Sequence, residues 1–358
     1  VIARPRLTLA LALLATASVV AACNSQPKGA SRIKIALLLP ETQTTRYESF
    51  DRPLFEARVR QLCGECDIEY KNANSDKTQQ QNQMDAVLAD GVRVVVLDPV
   101  DSQSAGLLVD KASLKRVPVI SYDRMIQKAD LAAHVSFEAQ QVGELQARSL
   151  VDKLKADGRT AGIIVMINGD KADNNALLLN KGAHSVLDTS GFTLYPRQDF
   201  WSEWKPANAQ SFMDSAIAQL GAKGFVGVYA ANDGTAGGAI AAMRTKGIKP
   251  VPPTTGQDAE LSAIQRILSG EQYMTVYKAI RSEADQAAQL AVALARGQRI
   301  EAPATVNNGT KDVPSVLLAP KAVTRDNLRS TIFADGFYPV SEVCSGEFTR
   351  YCAQAGIP

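Results

Sequence analysis

Val92–Met125 reads VRVVVLDPVDSQSAGLLVDKASLKRVPVISYDRM. Val92–Leu97 is an unbroken run of mostly β-branched residues, the pattern of a strand buried on both faces. Ser104–Leu114 has helical spacing, and Val117–Ser121 is a second buried strand. Strand, helix and strand in so short a span make a βα repeat, which implies a parallel sheet with helices on its faces. The same alternation extends upstream. Ile33–Leu39 reads as a strand, followed by a helix to about Leu62, a strand at Asp67–Tyr70 and a polar-faced helix at Thr78–Ala89. Downstream it restarts at His134–Phe137 and continues through the helix Gln140–Lys155, the strand Gly162–Ile167, the helix Asn175–Leu187 and the strand Thr193–Tyr195. Beyond these come Ala207–Leu220 (helix), Gly224–Ala230 (strand), Thr235–Thr245 and Ala259–Ser269 (helices), Met274–Tyr277 (extended) and Glu283–Ala295 (helix). The fold class expected is α/β, with two doubly wound, Rossmann-like lobes.

Near the N-terminus stand Arg4-Pro-Arg6, an apolar run Leu7–Ala22, and Cys23. The run has the length of a signal h-region and is short for a bilayer span. Small residues before the cysteine match a lipoprotein signal, with cleavage before Cys23 and lipid on its thiol. Residues 1–22 are therefore expected to be a signal peptide and 23–31 a tether. That places the protein outside the cytoplasm, held on the outer face of the cell membrane. A net charge of +2 asks for no nucleic acid, and a hydrophobic content of 46% supports a sizeable core. Of the five cysteines, Cys23 goes to lipid, and Cys63, Cys66, Cys344 and Cys352 remain. An even remainder in an oxidising compartment reads as two disulfides, Cys63–Cys66 and Cys344–Cys352. The Cys63-Gly-Glu-Cys66 spacing also matches half a zinc site or a redox motif, and cross-pairing stays open.

In open α/β sheets ligands sit beyond the C-terminal ends of the strands. The residues there are unusually polar: Arg46, Asp123-Arg124, Asp173-Asn174-Asn175, Asn232-Asp233, Asp258 and Lys278. Asp233 is expected to cap the helix that follows, and the glycines of Gly234–Gly238 to serve close helix packing, since no phosphate-loop lysine accompanies them.

Seven segments carry a family resemblance: Tyr122–Met125, Val142–Ala147, Asp173–Ala176, Asn232–Ala239, Gly256–Asp258, Met274–Lys278 and Asn307–Ser315. In this order they resemble the D-xylose-binding members of the type I pentose/hexose periplasmic binding protein family of bacterial ABC transporters. The resemblance runs from about Ile33 to Tyr338. It implies two lobes joined by three hinge strands, crossing near Phe137–Gly143, Val276–Ile280 and Asn307–Val313. The first lobe would comprise 32–139 plus 279–308 and the second 140–278 plus 309–340, with 341–358 a tail. It also implies that Arg46, Asp123, Arg124, Asp173, Asn175, Trp204, Asn232, Asp258 and Lys278 hold a sugar. Tyr47 stands where the family has a tryptophan. Three carboxylates against three cations would suit a neutral polyol, whose hydroxyls both donate and accept.

The expected activity is non-catalytic. The chain would capture a monosaccharide, D-xylose first, and deliver it to an ABC permease, as a monomer and without metal or cofactor. Rivals are a receptor for ribose, arabinose or galactose, and a sugar chemoreceptor component. An enzyme is disfavoured because the two histidines, His134 and His184, sit in no nucleophile or metal motif. A transcription regulator would need a helix-turn-helix where the signal and tether lie.

Overall fold

The computed structural model describes residues 1–3 and 32–357. The signal segment beyond residue 3, the tether and Cys23 lie outside the described residues. Ile33–Pro358 form one compact unit. It begins with β1 (Ile33–Leu39), α1 (Arg52–Leu62), β2 (Cys66–Asn72), α2 (Lys77–Ala89), β3 (Val94–Leu97), α3 (Gly106–Leu114), β4 (Val119–Tyr122) and β5 (Ala133–Phe137). Next come α4 (Ala139–Ala156), β6 (Ile163–Asn168), α5 (Asn174–Leu187), β7 (Thr193–Trp201), α6 (Pro206–Leu220), β8 (Gly227–Ala230), α7 (Asp233–Thr245), α8 (Leu261–Ser269) and β9 (Met274–Tyr277). Then follow α9 (Ile280–Ala295), β10 (Ala304–Asn307), β11 (Asp312–Leu318), β12 (Lys321–Thr324) and short helical turns.

The first lobe is a seven-stranded sheet in the order β10-β11-β5-β4-β3-β1-β2, parallel except at β10. Alternation along each strand divides its side chains between two cores. Ile35, Leu37, Val94 and Val96 meet α1 and α9 through Phe55, Val59, Ala287 and Ala291. Ala36, Leu38, Val95 and Leu97 meet α2 and α3 through Met84, Val87 and Val109. Burial on both faces explains why these strands read as continuous apolar runs.

The second lobe has β7-β6-β8 in parallel. Thr254 bridges to Val228 and Gln257 to Val276, which carries the sheet across to β9 and its antiparallel partner β12. Helices α4 and α5 cover one face, and α6 and α7 the other. The α4–α5 approach is very close. A Cβ on Gly143 would lie 2.0 Å from the Leu179 carbonyl oxygen, and one on Gly182 2.0 Å from that of Gln140. Gly238 plays the same part between α7 and α6, where a Cβ would stand 2.1 Å from the Pro206 carbonyl oxygen.

The chain passes between the sheets at Phe137–Ala139, Tyr277–Ile280 and Leu318–Lys321. The third passage corrects the expected one near Asn307–Val313, and it moves β11 out of the 309–340 segment assigned to the second lobe. The reason is turn chemistry. Asn307-Asn308-Gly309 turns a hairpin, with Gly309 at φ +89° and the Asn308 Oδ1 accepting from the Thr310 and Lys311 amides at 3.2 Å. β10 and β11 therefore pair with each other, and β11 adds to β5.

Cys63 is bonded to Cys66 and Cys344 to Cys352, with Cα–Cα distances of 5.3 and 5.8 Å. The C-terminal segment packs Val343, Cys352 and Ile357 against Ile264, Ile267 and Leu268 of α8. Phe50 of the first lobe stacks on Phe337 of that segment, ring centroids 4.4 Å apart.

Candidate functional site

Four of the site residues are set by turns and caps at strand ends. Asp123 follows β4 at φ 51°, where its amide donates to the Val135 carbonyl and Ser136 Oγ donates to its own carbonyl at 2.6 Å. Asp is among the residues that tolerate this left-handed conformation. Asp173 caps α5, its Oδ1 accepting from the Asn175 amide at 2.7 Å. Asn232 caps α7 in a reciprocal box with Thr235. That corrects the expectation that Asp233 is the cap; Asp233 is instead fully buried behind the site. Trp204 is placed by β7, which runs on past Tyr195 to Trp201, and by two left-handed residues, Glu203 at φ 56° and Trp204 at φ 58°. Its indole lies flat against Gly169, where a Cβ would fall 2.3 Å from the ring.

The other six complete the wall. Arg46 precedes a π-helical turn, Tyr47–Asp51, a form often found at functional sites. Asn175 lies in the first turn of α5 and donates to the Asp123 carbonyl at 3.0 Å. Arg124 follows Asp123, Lys278 follows β9, and Asp258 sits at φ 89°. All ten residues, Arg46, Tyr47, Asp123, Arg124, Asp173, Asn175, Trp204, Asn232, Asp258 and Lys278, line one cavity with Thr44 and Gln257. The space left inside is small, about 20 Å³, far below the roughly 300–1,000 Å³ usual for ligand pockets, so the wall is drawn tightly together. Each wall residue is at least nine-tenths buried. The rim is closed, with the Ser102 amide donating to the Ala172 carbonyl at 2.8 Å and the Asn174 amide to Ser102 Oγ at 3.1 Å.

Charge in the wall is organised around three cations. Arg46 meets Asp51 at 2.6 Å, Glu283 at 2.5 Å and Asp123 at 3.4 Å. Lys278 stands 3.3 Å from both Asp123 and Asp258. Arg124 stands 3.2 Å from Asp173 and 3.6 Å from Asp98 and Glu41. The expected balance of three charges of each sign is thus incomplete, because Glu41, Asp51, Asp98 and Glu283 form a second row of buried carboxyls. Burial offsets the excess by pushing Asp98 and Glu283 well up, toward the neutral acid, against the pull of Arg124 and Arg46. Burial also acts on Asp123, but Lys278, Arg46 and Arg124 outweigh it and hold that carboxyl below the usual range. Asp173 is raised by burial to about 6 although Arg124 opposes it.

The strand-end rule could have found two of the missed carboxylates, since Asp98 follows β3 directly and Glu41 follows β1 after Pro40. Asp51 and Glu283 reach the site from inside helical turns and carry no such signal. Three wall atoms lack a hydrogen bond within the protein: Asn232 Nδ2, a donor, Arg124 Nε, which is only ion-paired to Asp173, and Asp258 Oδ1, an acceptor only ion-paired to Lys278. Tyr47 turns its hydroxyl to Asp123 Oδ2 at 3.2 Å. Trp204 donates its indole N–H to Asp173 Oδ2 at 3.1 Å. Neither histidine lines the cavity. Among the described residues no cluster of acidic, histidine or cysteine side chains is arranged to hold a metal ion. The wall can present donors and acceptors in several directions around one flat aromatic face.

Comparison with known proteins agrees with this geometry. The profile of the periplasmic binding protein domain matches residues 35–299. The D-xylose-binding periplasmic protein of Escherichia coli K12 is 36% identical over 317 residues, 88% of this chain and 93% of that one. Its counterpart from Haemophilus influenzae is 36% identical over 309 residues, 86% and 90% of the two chains. A carbohydrate transporter solute-binding protein from Chloroflexus aurantiacus, solved with D-glucose, superposes with a TM-score of 0.78 at 28% identity, covering 86% of this chain and 97% of that one.

Proposed function

The chain belongs to the periplasmic binding protein family, and from that premise we propose that it captures a monosaccharide, D-xylose first, between its lobes and delivers it to an ABC importer. It is a binding protein and not an enzyme, as its family and relatives are. The observation that carries the sugar reading is the buried wall itself: carboxylates, cations and amides around the indole of Trp204, with Asn232 Nδ2 left without a hydrogen bond and Asp258 Oδ1 held by ion pairing alone. Asp123, Asp173 and Asp258 accept from sugar hydroxyls, while Arg46, Arg124, Lys278 and Asn232 donate. Each such charged bond contributes roughly 1.5–3 kcal/mol net. Trp204 offers a flat face to the ring C–H groups, with Tyr47 beside it. Contacts from both lobes stabilise the closed form, which the permease then recognises.

A second aldose reading has one observation in its favour. The Tyr47 hydroxyl engages Asp123, a wall residue, and so changes what that carboxylate offers a ligand. Titration calorimetry with D-xylose, D-ribose, L-arabinose, D-glucose and D-galactose decides between them. One-to-one binding of D-xylose with weak binding of the others is expected. Preference for another sugar would move the specificity, and heat from none would remove the function.

Cys23 is the lipid attachment point in this reading, with the receptor monomeric and held near its permease on the outer face of the membrane. Cys23→Ser should shift the protein from the membrane pellet to the soluble fraction. Equal retention of the variant would sink the lipid anchor.

A further inference from the structure

Asp233 lines no part of the cavity, yet it is fully buried beside two of the residues that do, Asn232 and Gln257. Its neighbour Asn232 forms wall. Its amide donates to the carbonyl of Gln257, another wall residue, at 3.1 Å. Its carboxylate receives three donors. Gln272 Nε2 reaches Oδ1 at 2.7 Å, while Thr275 Oγ1 and the Glu260 amide reach Oδ2 at 2.8 and 2.9 Å. Two of these donors flank the turn that bears Asp258. Glu260 ends that turn, and Thr275 Oγ1 also accepts from the Ala259 amide at 3.2 Å.

The turn itself is unusual. Asp258 at φ 89° and Ala259 at φ 53° are consecutive left-handed residues without a glycine between them, a conformation that persists only where its surroundings over-determine it. Gly256 at its start lies directly against the carboxylate, since a Cβ there would fall 1.9 Å from Asp233 Oδ1. The outcome of this geometry is the direction of Asp258, which stands 3.3 Å from Lys278 and 3.9 Å from Arg46 of the opposite lobe.

We propose that Asp233 is a positioning residue for the binding site: its carboxylate clamps the Gly256–Glu260 turn in the left-handed form that aims Asp258 into the cavity. This deepens the sugar-receptor reading and rests on it for the ligand, though not for the clamp. Burial pushes the Asp233 carboxyl well up toward the neutral acid, with Arg266 opposing, but three donors on its two oxygens give the pattern of an acceptor-only carboxylate. Asparagine in its place is nearly isosteric but turns an NH2 toward at least one of them.

The test is a double-mutant cycle in the full-length protein, with D-xylose as probe in calorimetry and with hydrogen exchange on the unliganded forms. Asp233→Asn is expected to weaken D-xylose binding by roughly tenfold or more, the scale of one lost charge-assisted bond, and to speed exchange across Gly256–Glu260. In an Asp258→Ala background the same change should weaken binding little further, because its effect runs through Asp258. Equal losses in both backgrounds would overturn the clamp, since a general loosening of the lobe acts regardless of Asp258. If Asp233→Asn does not fold, Thr275→Val removes one donor from the same carboxylate and enters the same cycle. If the wild type binds no D-xylose, the sugar reading fails by itself and exchange still decides the clamp. Unchanged protection of Gly256–Glu260 in the variant overturns it, and faster exchange confined to that turn supports it.

Discussion

Asp173 is the wall residue whose charge lies nearest the working pH. Burial raises its carboxyl to about 6, with Arg124 pulling the other way. In the unliganded protein the folded form holds its proton more tightly than the unfolded chain. The stability this adds is complete below the ordinary carboxylate range and disappears as pH rises through about 6. At neutral pH the site therefore contains an ionised carboxylate, held by Arg124, the Trp204 indole N–H and the Asn175 amide. A sugar hydroxyl donating to that carboxylate prefers the ionised form. Sugar affinity should fall as pH drops below about 6, with proton release on binding near that pH, seen as a buffer-dependent heat in calorimetry. A flat profile from pH 5 to 8 would take Asp173 out of direct contact with the ligand. At this scale the wall was legible because polar residues at strand ends are conspicuous among apolar runs. The carboxyls behind them were not. A residue such as Glu283, inside the first turn of α9, resembles any solvated helix acid until tertiary packing buries it.

Among elements, the helix pair α4–α5 shows how backbone contact replaces side-chain packing. Gly143 and Gly182 each face a carbonyl of the other helix at a separation no methyl can enter. Gly143→Ala should force the helices apart and cost about 1–3 kcal/mol, the usual range for overpacking, measured as a lower urea midpoint. No change in midpoint would mean the pair slides without strain. The central strands β1, β3 and β4 of the first sheet were readable because burial on both faces leaves them mostly apolar, whereas the edge strand β2, with Asp67, Glu69 and Lys71, was readable from the helix–strand alternation around it. β10 was not readable, since an edge strand of four residues, Ala304–Asn307, alternately half-buried and exposed, has no such signature. β11 was hidden differently: its preceding turn, Asn307-Asn308-Gly309, looks like any polar linker, and only pairing shows that it reverses the chain within one sheet. The place of Trp204 was legible as a type at a strand end. Its orientation depends on two left-handed residues that no periodicity announces.

At the scale of the molecule, both lobes contribute to one wall, so ligand binding and lobe closure are one equilibrium. A sugar that binds only the folded, closed form should raise unfolding free energy by about 2.7 kcal/mol at a hundred times its dissociation constant. Thermal melts along a sugar titration check this, and melts that ignore the sugar would separate binding from closure. The closed rim has a property of its own. Its contacts at Ser102, Ala172 and Asn174 use two peptide N–H groups, one peptide carbonyl and a single hydroxyl. The Ser102–Ala172 bond is indifferent to side-chain identity, whereas the cavity depends on it entirely. The rim therefore adds the same backbone latch whichever molecule is held, while the cavity side chains decide which molecule fits and how firmly the lobes stay closed on it.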